Sequence, residues 1–345
     1  MIDFENANIQ AVSGHWVGNN KEDRLILSDD LIGIKKEELE QTLLYYFLSN
    51  FKSQETFCFY HESDLKFNEV YNYISNIFQN PEELYSESVN LAKFLFEKSS
   101  HPKISSGEFY VVYFKDTIYK GEKLDIIGLF KSENKDKFIR TQGKESGFGF
   151  ELDRGININK IDKGCLIYNT NKDDGYILSV IDNTNKSGEA IYWIDEFLHV
   201  KPCQDEYYNT SNLMSLCKNF VTKELPNQFE ITKADQVDLL NKSVKFFKEN
   251  ESFSMDKFEK EIINNEEVIE SFHNYKKEFQ EDYGVEISDS FDINQGAVKK
   301  QSRVFRSVIK LDKNFHIYVH GNRDKIEQDV DERGKFYKVY FEEES

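Results

Sequence analysis

The sequence predicts an α+β fold: a mainly antiparallel central sheet flanked by helices, with a C-terminal β hairpin or sheet. Three observations carry this. Between about residues 104 and 200, short runs rich in β-branched and aromatic residues are separated by turn clusters. On either side of that block, apolar residues recur with the period of an amphipathic helix. From about residue 291 the texture is again that of strands.

The elements follow in order. Residues 3–18 read as a strand region, with Ile9, Val12 and Trp16 as apolar markers. "SDDLIGIKKEELEQTLLYYFLSNF" turns helical, because Leu39, Leu43, Tyr46 and Phe47 fall on one face. "FNEVYNYISNIFQN" and "PEELYSESVNLAKFLFEK" read as two more helices, the second opened by Pro81. "GEFYVVYFKDTIYKGEKLDIIGLFK" is two strands around a hairpin turn, and "GFGFEL", "GCLIYN" and "GYILSVID" are further strands. Helices return after Pro202. "TSNLMSLCKNFVTKEL" places Leu213, Leu216, Cys217, Phe220 and Val221 on one face. "TKADQVDLLNKSVKFFKEN", "SMDKFEKEIINN" and "EEVIESFHNYKKEFQEDYG" continue the pattern, with Gly284 as a helix stop. "RVFRSVIKL", "FHIYVHG" and "GKFYKVYF" close the chain as strands. The resulting segments are 1–103, 104–200, 201–290 and 291–345. They are expected to condense into two compact domains, the number a chain of 345 residues suggests.

Composition narrows the class. Hydrophobic residues make up 39%, with 29 Phe and 19 Tyr, ample for a core, so disorder is excluded despite the high charge. No apolar run is long enough to span a bilayer. "MIDFENANIQ" lacks the basic start and apolar stretch of a signal peptide, which predicts a cytoplasmic protein. Cys58, Cys165, Cys203 and Cys217 form no CxxC pair, which argues against a zinc ribbon or thioredoxin motif and predicts reduced, mostly buried thiols. No metal or cofactor is expected.

Charge is distributed unevenly. The chain carries a net −18, yet residues 297–326 hold eight Lys or Arg against two Asp. That stretch is +6, leaving −24 for the remainder. Read as a hairpin, 303–311 and 315–320 put Phe305, Ile309, Leu311, Phe315, Ile317 and Val319 on one face. Arg306, Lys310, His316, Tyr318 and His320 take the other. In the third run, Lys338 and Tyr340 lie opposite Tyr337, Val339 and Phe341. Cations mixed with aromatic rings suit a nucleic-acid surface, because they displace counterions condensed on phosphates. The candidate DNA-binding residues are Lys299, Lys300, Arg303, Arg306, Lys310, His316, Tyr318, His320 and Arg323. The competing reading is a solvated strand face whose cations discourage edge pairing. His316 and His320 share the spacing of helical zinc ligands, but four strand residues span about 13 Å, too far for one ion.

Catalytic motifs are sparse. "GKES" at 143–146 fails as a phosphate loop, since Phe138 and Glu145 stand where Gly and Ser or Thr are required. Neither GxSxG nor GxGxxG occurs, and "SENK" at 132–135 is an S-x-x-K match of the kind chance supplies. Asp125, Glu133 and Lys135 resemble the D…ExK arrangement of metal-dependent nucleases, in which carboxylates hold Mg²⁺. Glu133 lies in a polar segment beyond the apolar run, so a hairpin with charged ends explains the same residues.

Taken together, "ISSGEFYVVYF", "IIGLFKSENKDKFI", "GININKIDKGCLIYN", "EAIYWIDEFL", "FRSVIKLDKNFHIYVHG" and "DERGKFYKVYF" resemble the bacterial nucleoid-associated protein family of the NdpA (YejK-like) type. The resemblance runs from about residue 104 to the C-terminus. It implies a cytoplasmic, nucleoid-located protein that binds double-stranded DNA without enzymatic activity, with type II topoisomerases as partners. It transfers no binding residues position by position. The net charge of −18 departs from a basic chromosomal protein and makes an adaptor role, bound to DNA enzymes, the alternative. A homodimer would add avidity on a long polymer.

Overall fold

Residues 126–132 and 163–168 are buried on both faces, and 107–114 nearly so, which is why these stretches read as nearly continuous apolar runs. The computed structural model describes residues 2–3, 6–21, 24–144, 147–184, 192–305, 308–319 and 323–343. It divides into two compact units, Met1–Cys203 and Gln204–Ser345.

The first unit contains β1 (Ile2–Asp3), β2 (Asn8–Val17), β3 (Leu25–Ile26), α1 (Glu37–Leu48), β4 (Phe57–Phe59), α2 (Glu69–Gln79) and α3 (Leu84–Lys98). It continues through β5 (Gly107–Tyr119), β6 (Glu122–Ser132), β7 (Asp136–Lys144), β8 (Gly147–Gly155), β9 (Lys163–Tyr168), β10 (Ile177–Asp182) and β11 (Val200–Pro202). Nine strands form one antiparallel sheet in the order β11–β4–β10–β9–β6–β5–β2–β3, with β1 beside β5. The α+β class predicted from sequence is therefore the class observed. Residues 8–17 are an inner strand of this sheet, paired along β5.

Alternation sends Phe109, Val111 and Tyr113 of β5, Ile127 and Leu129 of β6, and Cys165 and Ile167 of β9 to one side. There they meet Ile74 and Ile77 of α2, and Leu91 and Leu95 of α3. Trp193 and Phe197, from a single π-helical turn at Tyr192–Leu198, join the same core. Val112, Phe114, Ile126, Phe130, Leu166 and Tyr168 point the other way, onto Tyr46, Phe47 and Leu48 of α1. Gly175 is required between β9 and β10: its φ is +91°, and a Cβ there would lie 2.1 Å from the Phe59 carbonyl oxygen.

β11 runs antiparallel to β4, with Lys201 opposite Cys58. This brings Cys58 and Cys203 to a Cα separation of 5.6 Å, and they form a disulfide. The expectation of reduced thiols fails for this pair. A separation of 145 residues gave no local cue, because sheet topology alone makes them neighbours. Cys165 and Cys217 are free and buried.

The second unit comprises α4 (Glu206–Asn219), α5 (Leu225–Gln228), α6 (Lys233–Glu249), β12 (Ser252–Ser254), α7 (Met255–Phe258), α8 (Glu266–Tyr283), β13 (Ser290–Asp292) and α9 (Gln295–Ser302). Its core is aromatic, with Phe246, Phe247, Phe253, Phe258 and Phe272 packed together. Gly284 ends α8 in the left-handed conformation at φ 62°. Four strands follow: β14 (Val308–Leu311), β15 (Phe315–Tyr318), β16 (Ile326–Asp331) and β17 (Gly334–Val339). They make two separate hairpins, β14–β15 and β16–β17. "GKFYKVYF" thus pairs with residues 326–331, a strand not recognised from sequence, and not with the basic ribbon.

Candidate nucleic-acid interface

The β14–β15 hairpin is seated on α6. Thr232 and Asp235 close a capping box at the start of that helix. Ala234 and Val237 of α6 form a small core with Ile309 and Ile326, against which Leu311, Ile317, Val319 and Tyr337 pack. Asn241 donates from Nδ2 to the Val319 carbonyl at 3.1 Å, fixing the end of the hairpin. With Ile309 and Ile317 paired and directed inward, the register sets Lys310 opposite His316 and Val308 opposite Tyr318. Lys310, His316 and Tyr318 are exposed, as strand alternation requires. Phe315, expected inside, is exposed at the turn.

The cations before the hairpin arrive on a helix. The sequence predicts a strand from residue 303, but 303–305 are not in a strand, and the next described strand residue is Val308. Asn294 caps α9 by accepting from the Ala297 N–H at 3.0 Å. Ala297 and Val298 are buried, while Lys299 and Lys300 occupy the last turn, where the helix dipole favours positive charge. Lys300 Nζ lies 5.6 Å from the Tyr207 ring centroid, and Arg303 is exposed at the C-cap.

Arg323 faces inward. Its Nε donates to Asp235 Oδ1 at 2.6 Å, and its Nη1 donates to the Ile326 carbonyl. Burial works against ionisation of Asp235, but hydrogen bonds from Thr232 and Arg323 outweigh it and hold the carboxyl below its ordinary pKa. Arg306 and His320 lie outside the described residues.

At the β16–β17 hairpin three cations are compensated, while Lys335 enters no ion pair among the described residues. Lys325 pairs with Glu342 at 2.7 Å, Arg333 with Asp331 at 3.7 Å and Lys338 with Glu327 at 4.0 Å. Among the described residues, Lys299, Arg303 and Lys310 enter no ion pair.

The D…ExK residues do not converge. Asp125 lies near the start of β6 and Glu133 just past its end, so about 26 Å of strand separates them. Asp125 accepts from the Tyr113 hydroxyl at 2.7 Å, and Lys135 pairs with Glu108 at 2.5 Å. Glu133 is buried, 3.2 Å from Lys131 Nζ, and accepts from the Tyr192 hydroxyl at 2.9 Å. Beside it, Lys163 pairs with Asp182 at 2.7 Å, both buried. Burial pushes the Lys131 pKa down, Glu133 opposes the shift, and Lys163 adds to it. Burial, then Glu133, raise the Tyr192 pKa. Among the described residues no three His, Cys, Asp or Glu side chains are grouped to hold a metal ion. Sequence reasoning missed these buried lysines. The available signal was a lysine ending the apolar run "DIIGLFK" and another opening "KGCLIY".

The fold defines an α+β protein whose C-terminal unit exposes Lys299, Arg303, Lys310, His316 and Tyr318. A family model described as nucleoid-associated protein YejK matches residues 15–333, and the chain belongs to that family, which supports a nucleoid-associated role. No curated protein matches the chain. Among the described residues, no helix is long and apolar enough to cross a membrane.

Proposed function

We propose that the protein binds double-stranded DNA, largely without sequence preference and without enzymatic activity, through the outward cations of α9 and the β14–β15 hairpin. Lys299, Lys300, Arg303 and Lys310 neutralise phosphates, while His316 and Tyr318 contact sugar and phosphate. Arg323 stands apart from this set, tying the start of β16 to Asp235 of α6. The observation that carries the reading is that Lys299, Arg303 and Lys310 are exposed and without a carboxylate partner among the described residues, whereas Lys325, Arg333 and Lys338 at the second hairpin are paired. Contacts of this kind carry no base information, so affinity should depend on salt far more than on sequence. The protein acts in the cytoplasm, on the nucleoid. The triple change Lys299→Glu, Arg303→Glu and Lys310→Glu should weaken duplex binding by at least about 100-fold at low salt, with the circular dichroism spectrum unchanged. Retained affinity in a folded triple variant would remove this surface from the account.

The net charge of −18 favours a second reading, an adaptor carried to DNA by a basic enzyme such as a type II topoisomerase. It predicts no gel shift by the purified chain alone, and a shift once that enzyme is added.

A further inference from the structure

β7 and β8 pair with each other over nine residue pairs and, among the described strands, with no other. The register places Ile139 opposite Leu152, Thr141 opposite Phe150 and Gly143 opposite Phe148. Paired residues share a face, so Ile139, Leu152, Phe150 and Phe148 form one continuous apolar stripe. All four face solvent: Ile139 is 68% exposed, Leu152 67%, Phe150 80% and Phe148 88%. The opposite face is mainly polar, with Phe138 at its base, and its charged and amide groups pair with one another. Arg140 donates to Asp153 at 2.7 Å, and Gln142 donates to Glu151 at 2.7 Å.

A two-stranded hairpin is marginally stable alone, and an apolar stripe of this size marks a surface that another protein layer covers. Charge indicates which layer. Residues 136–155 contain four cations and four anions, so this arm is neutral in a chain of net −18. Two copies that meet through their arms therefore join at a neutral segment of otherwise mutually repelling molecules. The geometry points to a homodimer in which the apolar faces of two β7–β8 arms stack across a two-fold axis. Such an interface is isologous, so one stripe serves both copies. Four large side chains exposing roughly 500 Å² on each arm give roughly 1,000 Å² in total, the area at which specific association begins.

Sedimentation velocity on the full chain tests this. The wild-type protein should sediment as a dimer at micromolar concentration. Phe148→Ser with Phe150→Ser should raise the dissociation constant at least tenfold and leave the circular dichroism spectrum intact. Arg140→Ser, on the opposite face, should leave the dimer unchanged. Thr141→Cys, on the stripe, should cross-link two copies under mild oxidation. A wild-type chain that is monomeric at every concentration overturns the proposal, even if the same phenylalanines then prove to bind vesicles or DNA. Equal dimerisation of the double serine variant, or no cross-linking of Thr141→Cys in a dimeric protein, overturns it as well.

Discussion

Glu133→Gln separates a structural from a catalytic role for the most enzyme-like residue in the chain. Lys131 is 0% exposed, and its Nζ donates to the Ser105 carbonyl at 2.8 Å and to the Tyr192 hydroxyl at 3.0 Å. The charge that compensates it belongs to Glu133, at 3.2 Å. Glutamine keeps an acceptor at that position but removes the charge, leaving a buried ammonium unpaired. Breaking a buried pair from one side costs about 3–5 kcal/mol. With a urea m-value of about 2 kcal/mol/M, the midpoint falls by about 1.5–2.5 M. The chain has two tryptophans, Trp16 and Trp193, both in the first unit, so fluorescence reports that unit alone. Replacing both partners, Lys131→Met with Glu133→Leu, should recover most of the loss, because the pair's desolvation cost disappears with it. Chemical denaturation of the wild type, Lys131→Met, Glu133→Leu and the double variant gives the coupling energy. A cost below about 1 kcal/mol for Glu133→Gln, or a double variant as unstable as the summed singles, would refute the reasoning.

Two other perturbations follow from the first unit. His15 is buried, its Nδ1 accepts from the Ser28 N–H at 3.2 Å, and its Nε2 lies 2.9 Å from Ser88 Oγ. Protonation would set a ring N–H against the Ser28 N–H, and burial lowers the His15 pKa to about 4. Between that value and the unfolded 6.5, only the unfolded chain binds the proton. Stability is therefore complete above pH 6.5 and falls as pH drops to 4, by up to about 3 kcal/mol. His15→Gln should flatten this dependence in urea titrations across the window; an unchanged slope would show that other groups set it. Reducing the Cys58–Cys203 disulfide opens a loop of 145 residues and should cost the first unit about 2–4 kcal/mol. Midpoints that coincide with and without dithiothreitol would contradict this.

Local periodicity made much of the fold legible. The turn "YKGEK" announced β5–β6, and the run after Pro202 announced α4. Polar strands were not legible, even where their partners lie close in sequence. Residues 326–331 are a strand because 334–339 pair with them, and their own composition, "IEQDVD", is polar. β7, "DKFIRTQGK", lacks alternation for the same reason. The boundary at residue 303 failed because the aromatic and β-branched texture of "RVFRSVIKL" masked a helix end capped nine residues earlier by Asn294. At the candidate interface, alternation placed Lys310, His316 and Tyr318 correctly outward. It had no means of finding that Arg323 turns to Asp235, because that contact spans 88 residues.

The central claim is direct phosphate contact by a small cationic face on an acidic protein. Its most direct test is the affinity of the purified chain for a duplex of arbitrary sequence, measured by anisotropy over a range of monovalent salt. Engagement of Lys299, Lys300, Arg303 and Lys310 predicts a linear log–log plot with a slope of about −3 to −4, and a slope nearer zero for the triple glutamate variant. No binding at low salt, or a slope unaffected by the variant, would contradict the account.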